Sequence, residues 1–125
     1  MRDDARALFA ETLGDADLTA LLADSKGAHL AGSYLDADGR EIGASITSAL
    51  SGIGPEVKRA MDHLHLGAWK SLVVETSEAT IAVAPAAHES TVLLAASSAE
   101  PHGLVRRVLD RSVARASQWL QGIQR

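Results

Sequence analysis

Residues 69–97, WKSLVVETSEATIAVAPAAHESTVLLAAS, contain three short apolar runs separated by two polar breaks. The runs are rich in β-branched residues, which favour strands, and both breaks are short enough to join neighbouring antiparallel strands. Pro85 falls near the end of a run, where a missing main-chain donor is tolerated. This stretch therefore predicts a three-stranded meander, with strands over 69–76, 79–86 and 90–97.

A hairpin and a broken helix are predicted ahead of the meander. The runs at 17–24 and 28–35 flank a short polar turn, so they indicate two antiparallel strands. The spacing of the apolar residues then changes to three or four, which indicates an amphipathic helix. Because Pro55 lacks a main-chain N–H and collides with the preceding turn, it predicts a kink or break near Gly52–Gly54. The apolar stripe of this helix comprises Ile42, Ile46, Leu50, Ile53, Val57, Met61 and Leu64.

Helices are also predicted near both ends of the chain. Apolar residues at helical spacing occupy residues 2–13, and Gly14 stops that segment. A second amphipathic segment follows residues 101–103. Arginines at every fourth position of this last helix, Arg107, Arg111 and Arg115, form a stripe away from its apolar face.

The order of these elements, α-β-β-α-β-β-β-α, predicts the fold class. Five antiparallel strands with helices on both faces of the sheet make an α+β layered sandwich. No composition shift or repeat divides the chain. We expect a single domain, with an N-terminal helix at 1–14 and the main body at 15–125.

Composition narrows the classes of function. With 125 residues, 46% of them apolar, the chain can bury one hydrophobic core. A net charge of −4 argues against general nucleic-acid binding, which needs clustered Lys and Arg. The lack of cysteine excludes a disulfide framework and a thiolate metal site. The N-terminus lacks a signal-peptide pattern and no run approaches the roughly 18 apolar residues of a membrane span, so we expect a cytoplasmic protein.

No motif points to catalysis, a cofactor or a metal. The sequence contains neither the G-x-S-x-G of a nucleophile elbow nor the G-x-x-x-x-G-K-[ST] of a P-loop. His63 and His65 are two residues apart, so a helix would not direct both at one metal. The acidic DADG at 36–39 fits a turn, because its glycine comes too early for a calcium loop. Trp69 and Trp119 are predicted to anchor the core or an interface. We therefore expect a non-enzymatic protein.

The first strand of the meander is predicted to need a partner. KSLVVET (70–76) carries few charges in its middle, and an unprotected edge strand of this kind is an aggregation hazard. Pairing with the same strand of a second copy would cover that edge, because a twofold contact is self-complementary.

Three stretches of the sequence resemble the Roadblock/dynein light chain superfamily, and within it the bacterial MglB-like branch. They are the hairpin LTALLADSKGAHLAGSY, the meander LVVETSEATIAVAPAAHESTVLLAAS and the helix entry HGLVRRVLDRSVAR. The resemblance covers roughly residues 15–121. The sequence departs from the family at SGIGP (51–55), because middle helices of the family usually continue without Gly-Pro.

The resemblance implies a homodimer that binds a small Ras-like GTPase and modulates its GTPase cycle. In such a dimer the middle helices pack together and the third strand pairs with its mate. Two alternatives stay open: a scaffold without catalytic effect, and a small-molecule sensor with a pocket between sheet and helices. The predicted dimer-interface residues are Leu50, Ile53, Val57, Ser71, Val73 and Glu75. The predicted docking residues are Glu56, Lys58, Arg59, Asp62 and His63 on the middle helix, and Arg107 and Arg111 on the last helix.

Overall fold

The computed structural model describes residues 8–14 and 18–123. The predicted order of helices and strands is confirmed, and the described part of the predicted N-terminal helix is a single helical turn. The elements are α1 (Ala10–Leu13), β1 (Leu18–Ala23), β2 (His29–Gly32), α2 (Gly43–Ala49), α3 (Ile53–Leu64), β3 (Leu72–Glu75), β4 (Ala79–Pro85), β5 (Thr91–Ser97) and α4 (His102–Ile123), with a 3₁₀ turn at Ala87–Glu89 between β4 and β5.

The five strands form one sheet in the order β2-β1-β5-β4-β3, and every neighbouring pair is antiparallel. The predicted meander is confirmed as β3, β4 and β5. The N-terminal hairpin joins it through β1, which pairs with β5 from Leu18↔Ala96 to Ala23↔Thr91. As a result β5 is the central strand, and β2 and β3 lie at the two edges.

Helices cover both faces of the sheet, as predicted. Successive side chains of a strand point to opposite faces, so alternate residues of β4 belong to different cores. Ala82 and Ala84 belong to the larger core, which also contains Leu8, Phe9 and the apolar face of α4. Val83 belongs to the smaller core, against which the α2 side of the molecule packs. None of the described helices is long and apolar enough to cross a membrane.

The break in the middle helix is confirmed. α2 ends at Ala49 and α3 begins at Ile53, with Gly52 as its N-terminal cap. Pro55 lies in the first turn of α3, where a main-chain N–H has no partner within the helix and its absence costs little. Gly54 passes close to the sheet, because a Cβ there would lie 3.3 Å from Thr91 Oγ1.

The edge strands are shorter than predicted. β2 ends at Gly32, whose φ is +82° and where a Cβ would overlap the carbonyl oxygen of Ala20. The positive φ takes the chain out of the strand conformation, and the close approach of Ala20 leaves room only for glycine. The DADG turn that follows is confirmed: Asp36 Oδ1 accepts hydrogen bonds from the main-chain N–H groups of Asp38 and Arg40, both at 2.9 Å.

Candidate protein-interaction surface

The outer edge of β3 is open. β3 pairs with β4 on one side, and none of the described strands pairs with its other side. Val73 lies opposite Ala82, on the face covered by α4, whereas Val74 lies opposite Ile81, on the α2 face. The two valines are 51% and 46% exposed. A free edge with exposed apolar side chains on both faces is a template for pairing with another chain.

The apolar stripe of the middle helix is only partly used within the chain. Ile46, Leu50 and Ile53 pack against the smaller core. Further along α3, Val57 and Met61 are half-buried without joining either core, and Leu64 is 59% exposed. α3 is strongly amphipathic, yet none of its residues is fully buried. Since most helical stability comes from packing of the apolar face, α3 presents a face that another chain could cover.

Exposed apolar side chains are concentrated between α3 and β3. Among the described residues five large apolar side chains are exposed, and four of them are Leu64, Leu66, Val73 and Val74. The fifth, Leu35, lies in the loop after β2. Scattered apolar residues are normal on a protein surface, whereas a concentration of this kind marks an interaction site. We refer to residues 57–74 as the α3–β3 segment.

The charged side of α3 consists of two ion pairs. Lys58 Nζ lies 3.0 Å from Asp62 Oδ2, and Arg59 Nη2 lies 2.8 Å from Glu56 Oε2. The hydrogen bond and charge of Asp62 raise the pKa of Lys58, and those of Glu56 raise the pKa of Arg59. Exposed pairs of this kind contribute little to stability. These four predicted docking residues therefore offer an exposed surface of balanced charge, beside the exposed His63.

The arginine stripe on α4 has a different electrostatic character. Arg107, Arg111 and Arg115 are exposed, and none has a carboxylate within ion-pair distance among the described residues. Arg106, by contrast, has its Nε 3.5 Å from Asp110 Oδ1. The stripe therefore presents positive charge to solvent, although the chain as a whole is negative.

A short side-chain contact connects the edge strand to α4. His102 Nε2, on the first residue of α4, lies 2.6 Å from Glu75 Oε1, on the last residue of β3. Both side chains are exposed. The contact links the open edge to the helix that carries the arginines.

The structure separates the predicted interface residues into two groups. Leu50 and Ile53 pack against the sheet of their own chain, whereas Val57 is half-buried outside both cores and Val73 and Glu75 are exposed. Ser71 was expected within the third strand, but it precedes β3 and is half-buried. Four further exposed or half-buried apolar residues of this region were not predicted at the interface, although Met61 and Leu64 belong to the predicted stripe: Met61, Leu64, Leu66 and Val74.

No protein-family model matches the sequence, and a search of curated proteins finds no match. Solved structures do match. MglB from Myxococcus xanthus is 11% identical with a TM-score of 0.79, covering 96% of this chain and 97% of that chain. A Roadblock/LC7 domain from Streptomyces avermitilis is 17% identical with a TM-score of 0.78, covering 93% and 97%. An MglB with a tetrameric arrangement is 20% identical with a TM-score of 0.76, covering 93% and 87%.

These matches extend over nearly the whole chain in each case. Their identities are low, so they establish the architecture rather than a shared activity. The predicted resemblance is confirmed at the level of the fold: the chain has the Roadblock fold and is similar in structure to MglB.

Proposed function

We propose that this chain is a non-enzymatic regulator that binds a small Ras-like GTPase as a homodimer and modulates its GTPase cycle in the bacterial cytoplasm. The observation that carries the proposal is the α3–β3 segment, where an open strand edge and most of the exposed large apolar side chains occur together. The Roadblock fold directs the choice of partner, because the resemblance implies small GTPases as partners of its bacterial members.

In the proposed dimer, β3 pairs with β3 of a second copy across a twofold axis. This contact would continue the sheet from one chain into the next and satisfy the open main-chain groups of both edges. The apolar face of α3, with Val57, Met61 and Leu64, would pack against its counterpart. The tetrameric arrangement named for one MglB structure supports self-association as a property of this fold.

Two surfaces on opposite faces of the sheet would contact the GTPase: the polar side of α3 and the arginine stripe on α4. Positive charge at Arg107 and Arg111 would attract an acidic surface and raise the association rate. Bound in this way, the dimer would stabilise one arrangement of the switch loops, and the GTPase's own catalytic residues would move with them. No residue of this chain has to reach the nucleotide.

Light scattering on the purified chain tests the dimer. We expect a mass of about 26 kDa, twice the 13.1 kDa of one chain. Val74→Lys places a charge at the open edge and should shift the mass toward the monomer. Leu35→Lys is the matched control, because Leu35 is also exposed but lies outside the α3–β3 segment. A monomer at high concentration, or equal effects of both variants, would contradict the dimer.

GTP turnover tests the regulatory role. A small Ras-like GTPase from the same organism is loaded with GTP, and phosphate release is measured with and without the dimer. A change in rate that saturates with dimer concentration supports regulation. Binding without any rate change favours the scaffold alternative, and failure to bind any such GTPase contradicts the proposed partner.

A further inference from the structure

A cavity of about 300 Å³ lies between the sheet and the junction of α2 and α3. Leu21, Val83 and Leu93 form its floor on the sheet, and Leu50 and Trp69 contribute to the other walls. All five of these side chains are apolar or aromatic. The volume falls at the lower end of the range found for small-molecule sites, which are mostly apolar with a few polar groups.

Close contacts hold the junction of α2 and α3 beside the cavity. Gly54 lines the cavity and already touches the sheet, because a Cβ there would lie 3.3 Å from Thr91 Oγ1. The junction is also held from the other side, because a Cβ on Gly27 would overlap Ser51. These two contacts set the distance between the junction and the sheet, so the helices are not free to collapse onto the apolar floor.

Three charged residues line the cavity: Asp24, Lys58 and Glu89. Asp24 Oδ1 accepts hydrogen bonds from two main-chain N–H groups of the β1–β2 turn, both at 2.9 Å. Lys58 is held by Asp62 at 3.0 Å. Glu89 is exposed and has no hydrogen-bond or ion-pair partner among the described side chains. Glu89 is therefore the lining carboxylate without a direct partner among these described side chains; the pKa of Lys58 is raised mainly by Asp62 and to a smaller extent by the charge of Glu89.

We propose that this cavity binds a small organic amine, with its apolar body inside and its ammonium group at Glu89. The apolar walls favour the body of the ligand, because its burial removes apolar surface from water. The indole of Trp69 adds an aromatic face that attracts cations. The carboxylates of Asp24 and Glu89 oppose the binding of an acid. Lys58 belongs both to the cavity lining and to the polar side of α3, so this site adjoins the proposed GTPase contact.

Three probes with the same phenylpropyl skeleton and different terminal groups test whether the cavity prefers a cation: 3-phenylpropylamine, 3-phenylpropan-1-ol and 3-phenylpropanoate. Trp119 lies outside the cavity, on α4, so Trp119→Phe leaves Trp69 as the single tryptophan of the full-length chain, which is excited selectively at long wavelength. We expect the amine to bind about three- to tenfold more tightly than the alcohol, and the acid to bind most weakly. Acid binding equal to or tighter than amine binding would overturn the proposal, as would no change in Trp69 fluorescence with any probe.

Two variants and one control variant show where in the chain the probes bind. Glu89→Gln should remove the preference for the amine and leave the affinity for the alcohol unchanged. Glu78→Gln, at the opposite end of β4 and about 20 Å away along the strand, should retain the preference. Ala23→Leu, which adds volume to the cavity wall, should abolish binding of all three probes without lowering the melting temperature.

The Glu89 variant decides the proposal even where Ala23→Leu fails to fold. A preference for the amine that survives Glu89→Gln would overturn the assignment of the ammonium group. Binding that survives in a folded Ala23→Leu protein would overturn the assignment of the cavity.

Discussion

Leu64→Ala tests whether the free face of α3 is a self-association surface. Leu64 is 59% exposed in the single chain, so its truncation removes little that holds the chain together. Alanine is also the best helix former, and α3 itself should remain intact. Any large effect on the dimer must then come from contacts made with the second copy.

The expected magnitude follows from the exposed fraction. Full burial of a leucine side chain stabilises by about 1.5–3 kcal/mol. The dimer would bury the exposed 59% of this side chain, and alanine keeps one of its four carbons. Each copy then loses about 0.7–1.3 kcal/mol, and a twofold interface loses this twice. The dimer dissociation constant should rise about 10- to 100-fold.

Sedimentation over a range of protein concentrations measures the dissociation constant, and urea denaturation of the diluted chain reports its stability. Leu35→Ala is the matched control, because Leu35 is also 59% exposed but lies in the loop after β2, away from α3. Its dissociation constant should equal that of the unmodified protein. An unchanged constant for Leu64→Ala would refute the assignment of this face, and a large loss of chain stability would show that Leu64 acts within the chain.

Three further predictions concern the core, the edge of the sheet and the arginine stripe. Leu94 is fully buried on the central strand, so Leu94→Ala should lower the free energy of unfolding by about 2–5 kcal/mol in urea, and a loss under about 1 kcal/mol would contradict its role. Gly32 and Gly39 share a φ of +82°, but a Cβ would overlap a main-chain oxygen at Gly32 and meet no described atom within 4 Å at Gly39. Alanine at Gly39 should therefore cost about 1–2 kcal/mol and alanine at Gly32 clearly more, whereas equal shifts in melting temperature would contradict the overlap. Arg107→Ala combined with Arg111→Ala should slow association with the GTPase and weaken its salt dependence in stopped-flow mixing, and an unchanged salt dependence would exclude the stripe from the contact.

The meander could be predicted because its signals are local. β-branched runs and short polar breaks determine strands and turns within 69–97, and the helical break at Pro55 follows from the chemistry of one residue. The end of β2 could not be predicted in the same way. Gly32 ends the strand with a positive φ, and β1 lies too close there for any side chain; that neighbour is set by the tertiary fold.

The candidate surface was predictable in type but not in extent. The spacing of apolar residues identified one continuous stripe from Ile42 to Leu64, and periodicity alone does not say which turns meet the sheet. The structure shows that the turns before the break pack inward and those after it remain free. The contact between Glu75 and His102 had no sequence signal, because 27 positions separate the two residues.

The Gly-Pro break gives one apolar stripe two uses. A continuous helix would have to follow the sheet along its whole length or leave it along its whole length, because a straight helix presents its stripe in one direction. The break lets α2 and the first residue of α3 cover the smaller core, while Val57, Met61 and Leu64 stay available to a second chain. The departure from the family at residues 51–55 is therefore compatible with the proposed dimer. The same break leaves the cavity under Gly54, so Gly54→Ala should perturb probe binding more than dimer mass, whereas Leu64→Ala should do the reverse.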